Sequence, residues 1–159
     1  MKKSDLIIIQ DTREQMPLVF TDATVEVATL TTGDYSLKGF EDKVCIERKS
    51  LADLLGSLGV DRDRFMREVQ RMRAYEYAGL VVEANMTTLY KGGWKSQITP
   101  QSVIGSLQAL SSKYGIHVLF ADNRELAATT VEGLLFHFLR KQYEYYERLK
   151  PLLTKGLSV

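Results

Sequence analysis

Val44-Cys45-Ile46-Glu47-Arg48-Lys49-Ser50-Leu51-Ala52-Asp53-Leu54 is the stretch that decides the fold. Its first four residues, rich in apolar and β-branched side chains, predict a buried strand. Ser50 is a good helix N-cap, and Asp53 follows three residues later as in a capping box, so a helix is predicted over 51–58. A strand passing almost directly into a helix is the repeating unit of an α/β layout.

The flanks extend that reading. Toward the N-terminus, Leu6-Ile7-Ile8-Ile9 reads as a buried strand ending at Asp11, the alternation around Val25 and Val27 as a second, and Tyr35-Ser36-Leu37 as a third. Thr31-Thr32-Gly33-Asp34 and the polar run 38–43 supply turns. The early chain is therefore expected to be a meander of strands joined by short turns. Toward the C-terminus, Phe65, Val69 and Met72 repeat at helical spacing and predict a helix from Arg62 to about Tyr77. A strand is predicted over 80–83, a helix over 101–114 stopped by Gly115, a strand over 116–120, and a long helix from about 123 to 149.

At 159 residues the chain fits one domain. A domain of that size buries roughly 68–70% of its unfolded surface, enough for one core without disulfides. The net charge of +1 neither favours nor excludes nucleic acid, because a local basic face can be masked by acids elsewhere. Cys45, the single cysteine, excludes an internal disulfide and reads as a small buried hydrophobe. The apolar run at Leu6–Ile9 is too short for a signal peptide or a membrane span, so an intracellular, cytoplasmic protein is expected.

Asp34 begins one predicted strand, and Glu47 and Lys49 lie near the end of the next. In an antiparallel pair those two ends lie side by side, so Asp34 and Glu47 converge. Glu47 and Lys49, two residues apart, share a face, while Arg48 points to the other. Two carboxylates about 4 Å apart repel by on the order of 4 kcal/mol at an effective dielectric of about 20. A hard divalent cation such as Mg²⁺ or Mn²⁺ removes that penalty, can activate a water, and can neutralise charge growing on a phosphate. Lys49 stands where an ammonium would assist. By themselves these residues also fit ordinary strand-end charges.

Taken together, Asp11-Thr12-Arg13-Glu14, Thr32-Gly33-Asp34-Tyr35, Cys45 to Leu54 and Gly56-Ser57-Leu58 closely resemble the nuclease domain of the XPF/Hef family, which cuts branched or flapped DNA. The family signature is Gly-Asp, a dozen or so residues, then Glu-Arg-Lys, three residues and Asp, with Asp-x-Arg-Glu upstream. Arg64-Phe65 and the Val81-Val82-Glu83 strand also match, so the resemblance covers roughly Leu6 to Glu83. It implies a restriction-endonuclease-like fold, with a mixed central sheet flanked by helices, and cleavage aided by Mg²⁺ or Mn²⁺. Carried over by position, Asp34 and Glu47 are the principal metal ligands and Asp11 joins them. Glu14 completes the acidic site, and Lys49 is the catalytic lysine. Arg48, Arg13 and Asp53 support the site, by phosphate contact or by ordering its ligands; Asp53 is equally explained as an acid beside a helix dipole.

The sequence departs from the family in two places. Glutamine often stands where Glu68 stands here. The helix-hairpin-helix module that supplies much of the family's DNA grip is not expected within residues 1–159, which read as a single nuclease domain of the compact kind found in phage or bacteria. The implied activity is endonucleolytic hydrolysis of branched, flapped or fork-like DNA. A junction resolvase or restriction-type nuclease of the same fold is the alternative. A noncatalytic DNA-binding subunit is a third reading, disfavoured because every acidic and lysine position is retained.

Several cations are candidates for holding DNA. Arg64, Arg67 and Arg71 fall at i, i+3 and i+7, which makes either a phosphate-contacting stripe or a solvated helix face. Arg13 is a further phosphate contact by resemblance. Lys91 and Lys95 flank a Gly-Gly-Trp loop in which Trp94 either stacks on a base or anchors the loop to the core. His117 and His137 read as packing residues. The final helix carries Leu134, Leu135, Phe136, Phe138, Leu139, Tyr143 and Tyr146, more apolar surface than one core stripe needs, so a homodimer through this region is expected.

Overall fold

The computed structural model describes residues 1–156. In chain order the elements are β1 (Ile7–Asp11), β2 (Thr24–Ala28), β3 (Tyr35–Leu37), β4 (Val44–Ser50), α1 (Leu51–Leu58), α2 (Arg62–Met72), β5 (Tyr77–Glu83), α3 (Met86–Lys91), α4 (Pro100–Tyr114), β6 (His117–Ala121) and α5 (Arg124–Gly156). Among the described residues, the strands form one mixed sheet in the order β2-β1-β3-β4-β5-β6. The expected α/β architecture holds. Among these residues no helix is long and apolar enough to cross a membrane.

The expected meander does not hold. β2 pairs with β1 in parallel and occupies the sheet edge, while β3 runs antiparallel between β1 and β4. The loop between β1 and β2 returns the chain to the start of the sheet, which a tight hairpin cannot do. Two other boundaries move. The second helix ends at Met72 instead of Tyr77, because the backbone N–H of Tyr77 donates to Lys43 O and opens β5 alongside β4. The last helix runs through Pro151 to Gly156 instead of stopping near 149. The short helix α3, capped by Asn85, has no counterpart in the sequence reading.

Strand alternation sends side chains to two cores. One face of the sheet gathers Cys45, Leu80 and Val82 against Leu54 and Leu58 of α1, Phe65, Val69 and Met72 of α2, and Val103 and Leu107 of α4. The opposite face gathers Ile8, Tyr35, Val44, Ile46 and Val81 against Ala127, Val131, Leu135 and Phe138 of α5. Along β4 the odd-numbered residues therefore face α1 and α2, and the even-numbered ones face the α5 side. Cys45 is wholly buried, as expected for a structural cysteine.

α5 is tied to the sheet by a buried acid. Glu132 Oε1 accepts from the backbone N–H groups of Asp22 (3.1 Å) and Ala23 (3.0 Å), and its Oε2 accepts from Lys3 Nζ at 3.2 Å. Burial opposes the charge, but those donors outweigh it and hold the carboxyl below its ordinary pKa. Glu132→Ala strands two backbone donors and is expected to cost about 3 kcal/mol in urea denaturation at pH 7. Because the folded pKa is depressed, this contribution is full above the ordinary value of 4.5 and fades as pH falls through the lowered one. The gap between wild type and variant should therefore narrow in acid; a gap independent of pH would refute the ionic role.

Candidate active site

The site forms where β3 meets β4. Gly33 precedes Asp34 with φ +80, and a Cβ there would sit 3.1 Å from Ile46 O and 3.2 Å from Cys45 Cβ. Only glycine permits this close approach in that left-handed conformation. The approach lets Asp34 N donate to Ile46 O at 2.9 Å, while Asp34 O accepts from Asp11 N at 2.8 Å. The register continues into the Tyr35–Ile46 pair, which places Asp34 beside Glu47. The Asp34 carboxylate is fixed from below, because Oδ2 accepts the backbone N–H of Arg48 at 2.8 Å.

Glu47 and Lys49 stand on the α1/α2 side of β4, both buried. Lys49 Nζ donates to Glu47 Oε1 at 2.9 Å and lies 4.8 Å from the centroid of the Phe65 ring. One oxygen of each carboxylate, Asp34 Oδ1 and Glu47 Oε2, is thereby left outside these bonds. The electrostatics match the crowding. Burial, with a smaller push from Glu14 and Glu68, raises the Asp34 pKa to about 6 against the pull of the Arg48 N–H and Lys49. Burial and the nearby Asp34 push Glu47 well above the ordinary range, with Lys49 offsetting part of the rise. Burial works against the Lys49 ammonium, but Glu47 more than compensates and its pKa is raised.

The other expected site residues are arranged differently. Arg48 points to the opposite face, as alternation requires, and there it draws Glu14 away from the pair. Arg48 Nη2 donates to Glu14 Oε1 at 3.1 Å, and Nη1 donates to Glu83 at 2.8 Å. Asp11, expected as a third metal ligand, is already saturated. Its Oδ1 accepts from Arg13 N (2.9 Å) and Arg13 Nε (2.7 Å), and its Oδ2 accepts from Leu30 N (2.7 Å) and Arg13 Nη2 (3.1 Å). Burial opposes the Asp11 charge, yet these donors lower its pKa overall. Asp53 stands in the first turn of α1, where its carboxylate accepts from Ser50 Oγ at 2.6 Å and its N–H donates to the same oxygen of the N-cap Ser50. It is a helix-start residue in this structure.

A divalent cation suits the donor set in one respect. Two hard carboxylates, close together and each with an oxygen outside the bonds above, match the one or two carboxylates with which Mg²⁺ is usually held among waters. Among the described residues, no group of three or more His, Cys, Asp or Glu side chains forms a metal cage. The fit is to a carboxylate pair.

The cationic candidates are spread more widely. Arg64, Arg67 and Arg71 are all exposed along α2, with Arg64 Nη2 3.4 Å from Asp61. Lys91 and Lys95 are exposed as well, and Lys95 lines a groove of about 780 Å³ with Arg62 and the α1–α2 turn. Trp94 is no stacking platform: its Nε1 donates to Ile98 O at 2.7 Å and its ring packs on the core. His117 and His137 are exposed, and each packs on an aromatic neighbour, His117 stacked on Tyr77 and His137 edge-on to Phe136. The sequence marked Glu68 on α2 only as a departure from the family's glutamine and gave it no role, whereas its charge acts on Asp34, Glu47 and Lys49. Its signal was present, since it lies one helical turn after Phe65.

A family model described as the ERCC4 domain matches residues 10–134. Two solved structures resemble the chain. The first, "XPF from Aeropyrum pernix", has a TM-score of 0.66 and 22% identity, covering 81% of this chain and 59% of that one. The second, "XPF from Aeropyrum pernix, complex with DNA", has a TM-score of 0.68 and 22% identity, covering 86% and 66%. The chain thus spans less than two thirds of the length of either. No curated protein sequence matches it. At this identity the likeness concerns the fold, a mixed sheet flanked by helices of the XPF nuclease type.

The raised Asp34 pKa has a consequence for stability. A carboxyl whose folded value of about 6 exceeds its ordinary 3.8 loses stability as it ionises, so its contribution declines as pH rises across that interval. Asp34→Asn removes the decline. In EDTA, the melting temperature of the Asn variant relative to wild type is expected to be higher at pH 7.5 than at pH 4. An offset that does not change with pH would show that Asp34 carries no such penalty.

Proposed function

The chain belongs to the ERCC4-domain family, and from that premise we propose that it is a metal-dependent endonuclease that hydrolyses phosphodiester bonds in branched, flapped or fork-like DNA. The observation that carries the proposal is the pairing of half-buried Asp34 with buried Glu47 beside the Lys49 ammonium. Such a pair is costly to keep charged, and its cost is repaid when a cation enters. Mg²⁺ or Mn²⁺ held by Asp34 and Glu47 would supply a neutralising charge for the phosphate and a more acidic bound water.

The chain's own residues divide the remaining work. Hydrolysis joins a water oxygen to phosphorus and breaks one ester P–O bond. Lys49, held by Glu47 and backed by the Phe65 ring, presents a fixed positive charge to the phosphate or orients the water. Asp11 acts as a positioning residue: its backbone N–H holds Asp34 O, and its carboxylate restrains Arg13 and Leu30. Arg48 positions from two sides, through its N–H on Asp34 and its guanidinium on Glu14 and Glu83. Arg64, Arg67 and Arg71 extend the positive surface along α2, and Lys91, Lys95 and the exposed edge of Arg13 are further phosphate contacts. The structure of a related XPF with DNA supports a nucleic-acid partner for this fold.

The later turns of α5 leave Tyr143, Tyr145, Tyr146, Leu149, Leu152 and Leu153 exposed, which supports pairing of two copies through this region.

Purified protein incubated with labelled flap, fork, four-way junction and plain duplex DNA should cut the branched forms with Mg²⁺ or Mn²⁺ and none with EDTA. Glu47→Gln and Lys49→Ala should each lower cleavage by roughly 10²–10³-fold with little change in DNA binding. Full cutting by either variant would refute the assignment. Arg67→Ala with Arg71→Ala should weaken binding to all substrates alike and reduce the slope of log K against log salt by about 1 for each phosphate that is no longer neutralised.

A further inference from the structure

α2 forms a wall of the site that the Asp34–Glu47–Lys49 arrangement does not by itself explain. Phe65 is buried on this helix and its ring meets Lys49 Nζ at 4.8 Å, so this face of α2 lies directly against the lysine. Glu68 follows three residues later, on the same helical face. Its side chain is half-buried, and among the described residues it makes no hydrogen bond or ion pair. Other acids close to the site are all engaged: Asp11 by Arg13, Glu14 and Glu83 by Arg48, and Glu47 by Lys49. Yet the negative charge of Glu68 acts on Asp34, Glu47, Lys49 and Arg13 together. This half-buried carboxylate has no direct ion-pair partner among the described residues and is set against two crowded carboxylates, with Lys49 and Arg13 the cations within range of its charge.

We propose that Glu68 is a third carboxylate of the active site, facing Asp34 and Glu47 from α2 and strengthening their hold on a divalent cation. The inference rests on the reading of Asp34 and Glu47 as the cation-binding pair. Its physical basis is charge and place. A carboxylate at the edge of a hard-ion site accepts hydrogen bonds from waters around the ion and adds to the attracting field. Glu68 takes that position without displacing Lys49, because the Phe65 ring holds the ammonium one turn earlier on the helix.

Binding of Mn²⁺ to the DNA-free protein, followed by calorimetry or by loss of the free-ion EPR signal, tests this without reference to cleavage. Glu68→Gln keeps the shape and removes the charge; it should weaken Mn²⁺ binding by about tenfold, the lower end of what outer-shell partners contribute. Glu68→Asp should retain most of the affinity. Asp63→Asn, which removes an exposed acid from the same helix, should leave affinity unchanged. A single cooperative thermal transition, at or above the wild-type melting temperature, verifies that each variant folds. If Glu68→Gln binds as wild type while Glu47→Gln binds weakly, the role of Glu68 is refuted and the carboxylate pair stands. If neither variant differs from wild type, the pair itself is refuted, and the role of Glu68 with it. If Asp63→Asn weakens binding as much as Glu68→Gln, the effect is a general field of the helix and the proposal fails.

Discussion

The antiparallel pairing of β3 with β4, made possible by the close approach of Gly33 to Ile46, is the constraint on which the rest of the site depends. It brings the residue that follows a turn beside a residue in the middle of a long strand. The result is two carboxylates side by side, Glu47 buried and Asp34 half-buried, neither of which can move away. Asp34 is held through its N–H, its carbonyl and its carboxylate, the last by the Arg48 N–H. Glu47 is held by the strand and by Lys49. The proximity is imposed by backbone hydrogen bonds, and the charges adapt to it.

That adaptation has a cost. Burying like charges together disfavours the folded state, and the raised pKa values of Asp34 and Glu47 record the penalty. The surroundings offset part of it with three cations placed two residues or fewer from an acid in the chain, or across one strand: Arg13 on Asp11, Arg48 on Glu14 and Glu83, and Lys49 on Glu47. Only the first grouping is matched one to one. Arg48 shares its guanidinium between two acids, and Lys49 serves two crowded carboxylates with Glu68 nearby. The negative charge left on the α2 side of β4 lies where the proposed chemistry takes place.

The two cores keep this arrangement rigid. β4 is interior to the sheet, covered by α1 and α2 on one face and by α5 on the other. A strand clamped on both faces cannot slip its register, and a slip of one residue would exchange Glu47 and Lys49 for Arg48. The buried Glu132, which ties α5 to the loop before β2, belongs to the same clamp.

Much of this was legible in the sequence. The strand-to-helix passage at Val44–Leu58, the capped start at Ser50, and the convergence of Asp34 with Glu47 all follow from local patterns: apolar runs, capping chemistry, and the period of two that separates Glu47 and Lys49 from Arg48. Those patterns concern neighbours in the chain, so one sequence displays them. The position of β2 beyond β1, the end of α2 at Met72, the saturation of Asp11 by Arg13, the withdrawal of Glu14 by Arg48, and the approach of Glu68 to the carboxylates do not. Each depends on which distant segments meet, and a carboxylate has the same local pattern whether a cation, a guanidinium or empty space lies opposite. Sequence by itself determined which residues carry the charge and on which side of a strand they stand. Only the tertiary structure decided which charges neutralise one another and which are left crowded, because that balance is set by distances across the fold.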